Sequence, residues 1–374
     1  MSEKPLLVEP DVSFIQQVIQ NGGESVKKCF QCATCSVVCN LSKDDKPFPR
    51  KEMIATQWGL KEKLVNSPDI WLCHQCGDCT SYCPRGAKPA DVLASIRRYT
   101  ISHFAAPHFM GELIRDSKYL GFLFFFPILL LLGYFYLIGH LNIPDAEVEY
   151  AKFFPHLYLN IFFSAAATLA AIMALVSVVR FWNGMMLHTG ISEPKGNFIK
   201  AVYETIVEIL KHKKFTDCSE NKFRYLGHLG IFYGFIGLFI VTAIAVVLII
   251  IEMYIHSPLY PLGLWHPAKI MGNISAIILF LGCSLIIYNR LKLKEDLTTT
   301  YFDWYFLIVL YLVAITGIFT EALRYWDIPN LAYPTYFVHL VFVFNLLIYF
   351  PYSKFAHIMY RTVAIFFDKY VRNS

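Results

Sequence analysis

The sequence predicts an α-helical membrane protein carrying a polar, cysteine-rich head, and three observations lead there. Apolar residues make up 56% of the 374 residues and charged residues 16%, against about 45–50% and about 25% in soluble domains. Mean hydropathy is +0.46. Eight of the ten cysteines fall between Cys29 and Cys83, in a stretch without a long apolar run. Beyond Tyr119 come six apolar stretches of the length that crosses a bilayer as a helix, about 20 residues each.

Residues 1–115 are expected to form the head and residues 116–374 the membrane domain. The N-terminal stretch has neither the basic nor the apolar region of a secretory signal, so the head is expected in the cytoplasm, where thiols stay reduced. The spans are expected at about 119–140, 156–182, 225–251, 267–289, 303–323 and 335–358. Lys and Arg crowd three connecting segments. Lys195, Lys200, Lys211, Lys213, Lys214, Lys222 and Arg224 lie before the third span; Arg290, Lys292 and Lys294 follow the fourth; Lys354, Arg361, Lys369 and Arg372 lie in the tail. The opposite loops, 141–155 and 252–266, hold only Lys152. Positive loops stay inside, so both termini are expected on the cytoplasmic side of the inner membrane. The formal charge of +5 fits that orientation, and the lack of a basic, aromatic-interleaved soluble run argues against nucleic acid as a partner. Ile199, Val202, Ile206 and Ile209 recur at helical spacing. They predict an amphipathic helix that lies on membrane lipid or a partner, or a solvated helix packed on the end of the bundle.

Two motifs carry the chemistry of the head: Cys29-x2-Cys32-x2-Cys35-x3-Cys39 and Cys73-x2-Cys76-x2-Cys79-x3-Cys83-Pro84. A [4Fe–4S] cubane takes three thiolates from one tight loop, while the fourth cysteine at this spacing crosses to the other cluster. One cluster is therefore assigned to Cys29, Cys32, Cys35 and Cys83, the other to Cys73, Cys76, Cys79 and Cys39. Zinc is the competing reading, but zinc sites pair two separated C-x2-C units, and this run does not. Asn40 stands where the second motif has Pro84. No Gly-rich loop precedes a helix, so neither flavin nor nicotinamide is assigned to this chain.

Ionisable side chains in spans are functional candidates by default. Of twelve histidines, His228 and His357 are expected near the inner ends of spans, and His266 and His339 near the outer ends. His74, His103, His108, His188 and His212 are expected in the head or in cytoplasmic segments and receive no ligand role. His339 and His357 are 18 residues apart, or about 27 Å along a helix, close to the hydrocarbon thickness of about 30 Å. Bis-histidine ligation then predicts haem b in each leaflet, the inner on His228 and His357, the outer on His339 and His266. Gly227, Gly230, Gly234 and Gly237 make one smooth helix face, suited to a flat porphyrin or to close helix packing.

These segments resemble known families. His339-Leu-Val-Phe with Phe350-Pro351-Tyr352-Ser353-Lys354 and His357 resembles the last helix of the cytochrome b subunit of respiratory nitrate reductase. Gly227-His228-Leu229-Gly230-Ile231-Phe232-Tyr233-Gly234 resembles the early haem helix of that family. The cysteine head resembles the small iron–sulfur subunit of heterodisulfide reductase. A head of that kind fused to such a cytochrome resembles the membrane subunit of the quinone-interacting membrane-bound oxidoreductase complex of sulfate reducers. The resemblance implies a ferredoxin-like α-helical two-cluster head on a six-helix bundle of nitrate-reductase cytochrome b type. It also implies two haems b, a menaquinone site, soluble flavin and iron–sulfur partner subunits on the head, and a link to adenylylsulfate (APS) reductase. The nitrate-reductase family carries a second histidine ten residues after the first in the early helix; here that position is Leu238, and His266 replaces it on depth alone.

The expected function is electron exchange between menaquinone or menaquinol and the soluble partners. The chain would be the quinone-reacting member of an oxidoreductase complex, without soluble chemistry of its own. His266 and Lys269 are the quinone-site candidates, with a snorkelling anchor as the other reading of Lys269. A heterodisulfide-reductase-type membrane subunit and a haem-free anchor for a ferredoxin module remain as alternatives. Cys218 and Cys283 are expected to hold no metal, Cys283 packing as a small apolar residue.

Overall fold

A computed structural model describes residues 9–140, 143–144, 147–212, 222–255, 261–292 and 298–372. Lys213, Lys214, Cys218 and Lys294, named above, lie outside them. The described chain is helical throughout, and the pairing of Lys43 with Lys46 is an isolated bridge among these residues.

The head consists of short helices: α1 (Val12–Val18), α2 (Thr34–Val37), α3 (Arg50–Gln57), α4 (Lys61–Val65), α5 (Asp69–Leu72), α6 (Asp78–Ser81), α7 (Pro89–Phe104) and α8 (His108–Arg115). Asp11 starts α1 by accepting the Phe14 N–H at 2.9 Å, which satisfies one orphan donor of the first turn. Only α7 is long. Pro89 opens it, where a missing N–H costs nothing, and it is buried on nearly every side, with Val92, Ile96 and Ser95 fully enclosed.

The membrane part contains α9 (Leu120–Leu137), α10 (Tyr150–Phe153), α11 (His156–Thr189), α12 (Phe198–Lys211), α13 (Lys222–Ile255), α14 (Pro267–Lys292), α15 (Tyr301–Tyr325), α16 (Pro329–Ile348) and α17 (His357–Phe367). Among the described residues six helices are long and apolar enough to span: Ser117–Leu137, His156–Thr189, Phe223–Glu252, Pro267–Lys292, Tyr301–Tyr325 and Pro329–Ile348. The protein is a multi-pass membrane protein. α11 and α13, at 34 residues each, run about 51 Å at 1.5 Å per residue. That exceeds a hydrocarbon layer of about 30 Å, so each reaches beyond it.

The sixth span departs from the expectation of one helix through 358 that carries both His339 and His357. Instead α16 starts at Pro329 and stops at Ile348, and α17 begins at His357. Pro351 cannot donate to a helical ladder and disfavours helix at the residue before it. The separation of about 27 Å along one helix therefore does not apply to these two histidines.

Head and bundle share one hydrophobic core. Trp71 of α5 stacks on Tyr360 of α17, centroids 5.1 Å apart, and meets Phe181 of α11 edge-on at 6.2 Å. Arg180 donates to the Ala105 carbonyl at 3.0 Å and the Tyr352 hydroxyl donates to the Ala106 carbonyl at 2.7 Å. Asp303, at the start of α15, ties three segments: Arg98 of α7 at 3.2 Å, Lys354 at 2.5 Å, and the Thr300 N–H at 3.1 Å. Deeper in the bundle, the Tyr305 hydroxyl donates to Asn345 Oδ1 at 2.6 Å and Asn345 Nδ2 donates to the Leu123 carbonyl at 3.0 Å.

The glycine face of α13 serves helix packing. A Cβ at Gly230 would lie 3.0 Å from Gly282 Cα, and one at Gly234 would lie 2.7 Å from the Leu279 nitrogen, both on α14. The face is therefore occupied by a neighbouring helix and is not a porphyrin wall. α12 is amphipathic as expected. Ala201 and Thr205 are buried, while Ile199, Tyr203 and Ile206 stay exposed. Cys283 is fully buried among Leu279, Leu307 and Leu310, as a small apolar residue.

Candidate functional site

The two cysteine loops have matching backbones. Gln31 and Gln75, each two residues after its motif's first cysteine, have φ of 62° and 54°. Ala33 and Gly77, each following the second cysteine, have φ of 68° and 102°, and each caps a one-turn helix, α2 or α6. Left-handed residues at these points wind the loop so that its amides turn inward, a concave arrangement that suits anions. The Gln75 N–H donates to Cys73 Sγ at 3.3 Å, and the Ala87 N–H donates to Cys83 Sγ at 3.3 Å.

The fold brings the cysteines together in crossed sets. Burial pushes the Cys35 thiol up to about 11, with Cys29, Cys83 and Cys32 as further charged neighbours raising it. Burial likewise pushes Cys39 up to about 11, and here the raising neighbours are Cys73 and Cys76. Cys79 is raised by burial and then by Cys73, Cys76, Cys39 and Cys35. Each x3 cysteine thus sits with the other motif, and Cys35 and Cys79 link the two sets. Such thiols need a bound cation to ionise at neutral pH. Among the described residues no three His, Cys, Asp or Glu side chains converge on a single-ion position; a cubane's thiolates each bind a separate iron and need not converge. The residues fit two cubanes.

The second motif faces a cavity of about 1260 Å³ that lies against the bundle. His74, Gln75, Cys76 and Gly77 form part of its wall, and His228 and His357 another part. Nδ1 of His357 donates to the Lys354 carbonyl at 2.6 Å, which leaves Nε2 with its lone pair for a metal and fixes the ring. His228 lines the same cavity as His357, and the His212 ring stands 5.3 Å from that of His228. Nothing in the sequence marks His212 for this position; its place beside the cavity follows from its left-handed backbone, φ 48°, at the end of α12. The remaining lining divides sharply. Ile231, Phe232, Phe235 and Phe239 form an apolar wall, while eight Lys and Arg side chains stand against Glu208 and Asp303. An amphiphilic cofactor with an apolar plate, carboxylates at one edge and a metal open to imidazole fits this lining, and haem b is such a group.

The outer candidates are arranged differently. His339 packs over Gly317, where a Cβ would lie 3.0 Å from its Cε1, and its Nδ1 is 2.9 Å from the Thr316 hydroxyl. His266 is exposed, and its Nδ1 accepts the Ala268 N–H at 3.2 Å, capping α14. Among the described contacts none joins His266 to His339. Lys269 is no free snorkelling anchor: its ammonium pairs with Glu321 at 2.9 Å, and Asn273 Nδ2 donates to the same carboxylate at 3.0 Å. Glu321 escapes a sequence reading because it sits near the end of a predominantly apolar span.

Residues 25–87 match the 4Fe-4S dicluster domain family. The head is similar to a subunit of the H(2):CoB-CoM heterodisulfide,ferredoxin reductase of Methanothermobacter marburgensis, 32% identical over 87 residues, 23% of this chain and 47% of that one. The match thus spans about half the length of that relative. Citrate utilization protein B of Escherichia coli is 27% identical over 388 aligned positions, covering 97% of this chain and 93% of that one. A subunit of the dihydromethanophenazine:CoB--CoM heterodisulfide reductase of Methanosarcina thermophila is 28% identical over 173 residues, 44% of this chain and 65% of that one. No solved structure matches. The chain is therefore similar, over part of its length, to subunits of heterodisulfide reductase complexes.

Proposed function

We propose that this chain carries single electrons between a quinone in the membrane and soluble redox subunits on its head, through haem b held by His228 and His357 and two [4Fe–4S] clusters. The observation that carries the reading is the cavity of about 1260 Å³, bounded on one side by His228 and His357 and on another by the Cys76 loop. When bound, haem b and the cubanes would supply one-electron carriers, the chemistry needed to divide the two electrons that a quinol gives up with its two protons. The chain's own residues do the rest. His357, oriented by the Lys354 carbonyl, and His228 would supply imidazole nitrogens; the cationic side chains would pair with carboxylates; the phenylalanines would exclude water.

The outer region supports a quinone pocket better than a second haem, because His266 is exposed and engaged in capping while Lys269, Asn273 and Glu321 form a hydrogen-bonding group within a span. Lys269 would donate to a quinone oxygen and Glu321 would accept a quinol proton. Menaquinone as the quinone, flavin and iron–sulfur partners, and APS reductase as the far end of the chain follow the sulfate-reducer resemblance. A second reading, service in citrate utilisation, is favoured by the likeness of citrate utilization protein B over 97% of the chain. Both place the same wire in different complexes.

The test is the haem and iron content of the purified protein, by pyridine haemochrome spectrum and iron assay. The expected result is one haem b with about eight non-haem irons per chain, as two cubanes require. Two haems would restore His339 and His266 as an outer site. No haem would leave the membrane anchor for a ferredoxin module.

A further inference from the structure

Three arginines from distant segments converge on the loop of the second cysteine motif. Arg97 of α7 donates from Nε to the Ile70 carbonyl at 2.8 Å and from Nη2 to the Cys73 carbonyl at 2.8 Å. Arg361 of α17 donates from Nη1 to that same Cys73 carbonyl at 3.1 Å and from Nη2 to His74 Nδ1 at 2.6 Å. Arg224, in the first turn of α13, donates from Nη1 to the Gln75 carbonyl at 2.6 Å. All three line the cavity. The equivalent carbonyl of the first motif, Gln31, receives one guanidinium, Arg50 at 3.1 Å. Arg361 also lies four residues after His357, so both project from one face of α17.

We propose that Arg97, Arg224 and Arg361 form a cationic collar that raises the reduction potential of the cluster held by Cys39, Cys73, Cys76 and Cys79. The proposal rests on the two-cluster reading above. A cubane with four thiolates is already anionic, and reduction adds one more negative charge. Fixed cations in a site shielded from water stabilise the reduced form more than the oxidised one. Hydrogen bonds and net charge around the ligands are the protein's main levers on this potential. Neutral amide donors would anchor the loop equally well. Guanidinium groups, with their desolvation cost, are explained by the charge they deliver. The collar faces the cavity, so it biases an electron arriving there to enter the second-motif cluster. These arginines are positioning residues; none is assigned as a ligand.

The test is an EPR-monitored redox titration of the full-length protein in detergent, unaltered and as Arg361→Gln and Arg361→Lys, with iron assayed in each. In Arg361→Gln, one cluster midpoint is expected to fall by about 59 mV, a tenfold change in a one-electron equilibrium, while the other stays put. Arg361→Lys, which keeps the charge, is expected to recover most of that fall. Unchanged midpoints with full iron, or an equal fall in both clusters, would overturn the collar. If Arg361→Gln loses half its iron, Arg97→Gln is titrated in its place, with the same two outcomes deciding. An unaltered chain without cluster signals would instead refute the two-cluster reading on which the collar rests.

Discussion

The proposal that the two clusters take crossed ligand sets makes an arithmetical prediction about iron. Cys39 belongs by sequence to the first motif, yet its charged neighbours are Cys73 and Cys76. Replacing Cys39 by Ala should therefore remove the cluster of the second motif. Each cubane holds four irons, so iron should fall from about eight per chain to about four. Cys76→Ala should give the same value, since it opens the same cluster. The double variant Cys39→Ala with Cys76→Ala should remain at about four, because one cluster cannot be lost twice. Cys39→Ala with Cys32→Ala should fall to nearly none, since Cys32 sits with Cys29, Cys35 and Cys83. Colorimetric iron and acid-labile sulfide assays on protein purified without air measure all four. The reasoning fails if the first double variant loses all its iron and the second keeps half, for each motif would then hold its own cluster.

Other parts of the structure lend themselves to equally direct tests. Burial, opposed by Lys51, raises the Glu52 carboxyl from 4.5 to about 7, so the folded chain keeps a proton that the unfolded chain releases. Stability should be full below about pH 4.5 and decline by about 3 kcal/mol as pH rises through 7; Glu52→Gln should flatten the thermal midpoint measured across that range, and an undiminished slope would count against it. Gly234→Val should lower the thermal midpoint by the equivalent of about 1–3 kcal/mol, because its Cβ would lie 2.7 Å from the Leu279 nitrogen, whereas Gly133→Val, with nothing within 4 Å, should leave it unchanged. Lys269→Met or Glu321→Leu alone should each cost about 2 kcal/mol, less than the about 3–5 kcal/mol of a fully buried pair because both side chains are 24% exposed. The double variant should recover part of that loss; equal additive losses in thermal denaturation would show the pair to be uncoupled.

Hydropathy exposes the spans because a run of apolar residues long enough to cross a bilayer is a coarse property, insensitive to tertiary detail. Cysteine spacing exposes the two-cluster head, because three thiols at x2 spacing in one loop suit a cubane. The break at Tyr349–Ser353 is harder to read. Phe350, Pro351 and Tyr352 are apolar enough to extend a hydropathy window, and only the proline marks the end of the helix. The collar is beyond the reach of sequence, since Arg97, Arg224 and Arg361 come from three helices widely separated along the chain, and their common target exists only after packing. An arginine at the start of an apolar span, such as Arg224, is the one visible hint, and it reads equally well as a signal of orientation. Depth selects His266 as a ligand, but a histidine directly before Pro267 at a helix start is also a capping position.

The shared core has a consequence for how the protein is made. Trp71 packs on Phe181 from the second span and on Tyr360 from beyond the last, and Cys73 and Tyr349 belong to the same continuous cluster of side chains. A ribosome delivers the cysteine motifs long before it delivers Tyr360. The newborn head therefore waits with one side of its interior unfinished until the final helix has threaded and turned back. Cofactor loading of the second loop is therefore expected to follow completion of membrane insertion. A chain truncated before α17 should accumulate as an iron-poor head on a correctly inserted set of spans.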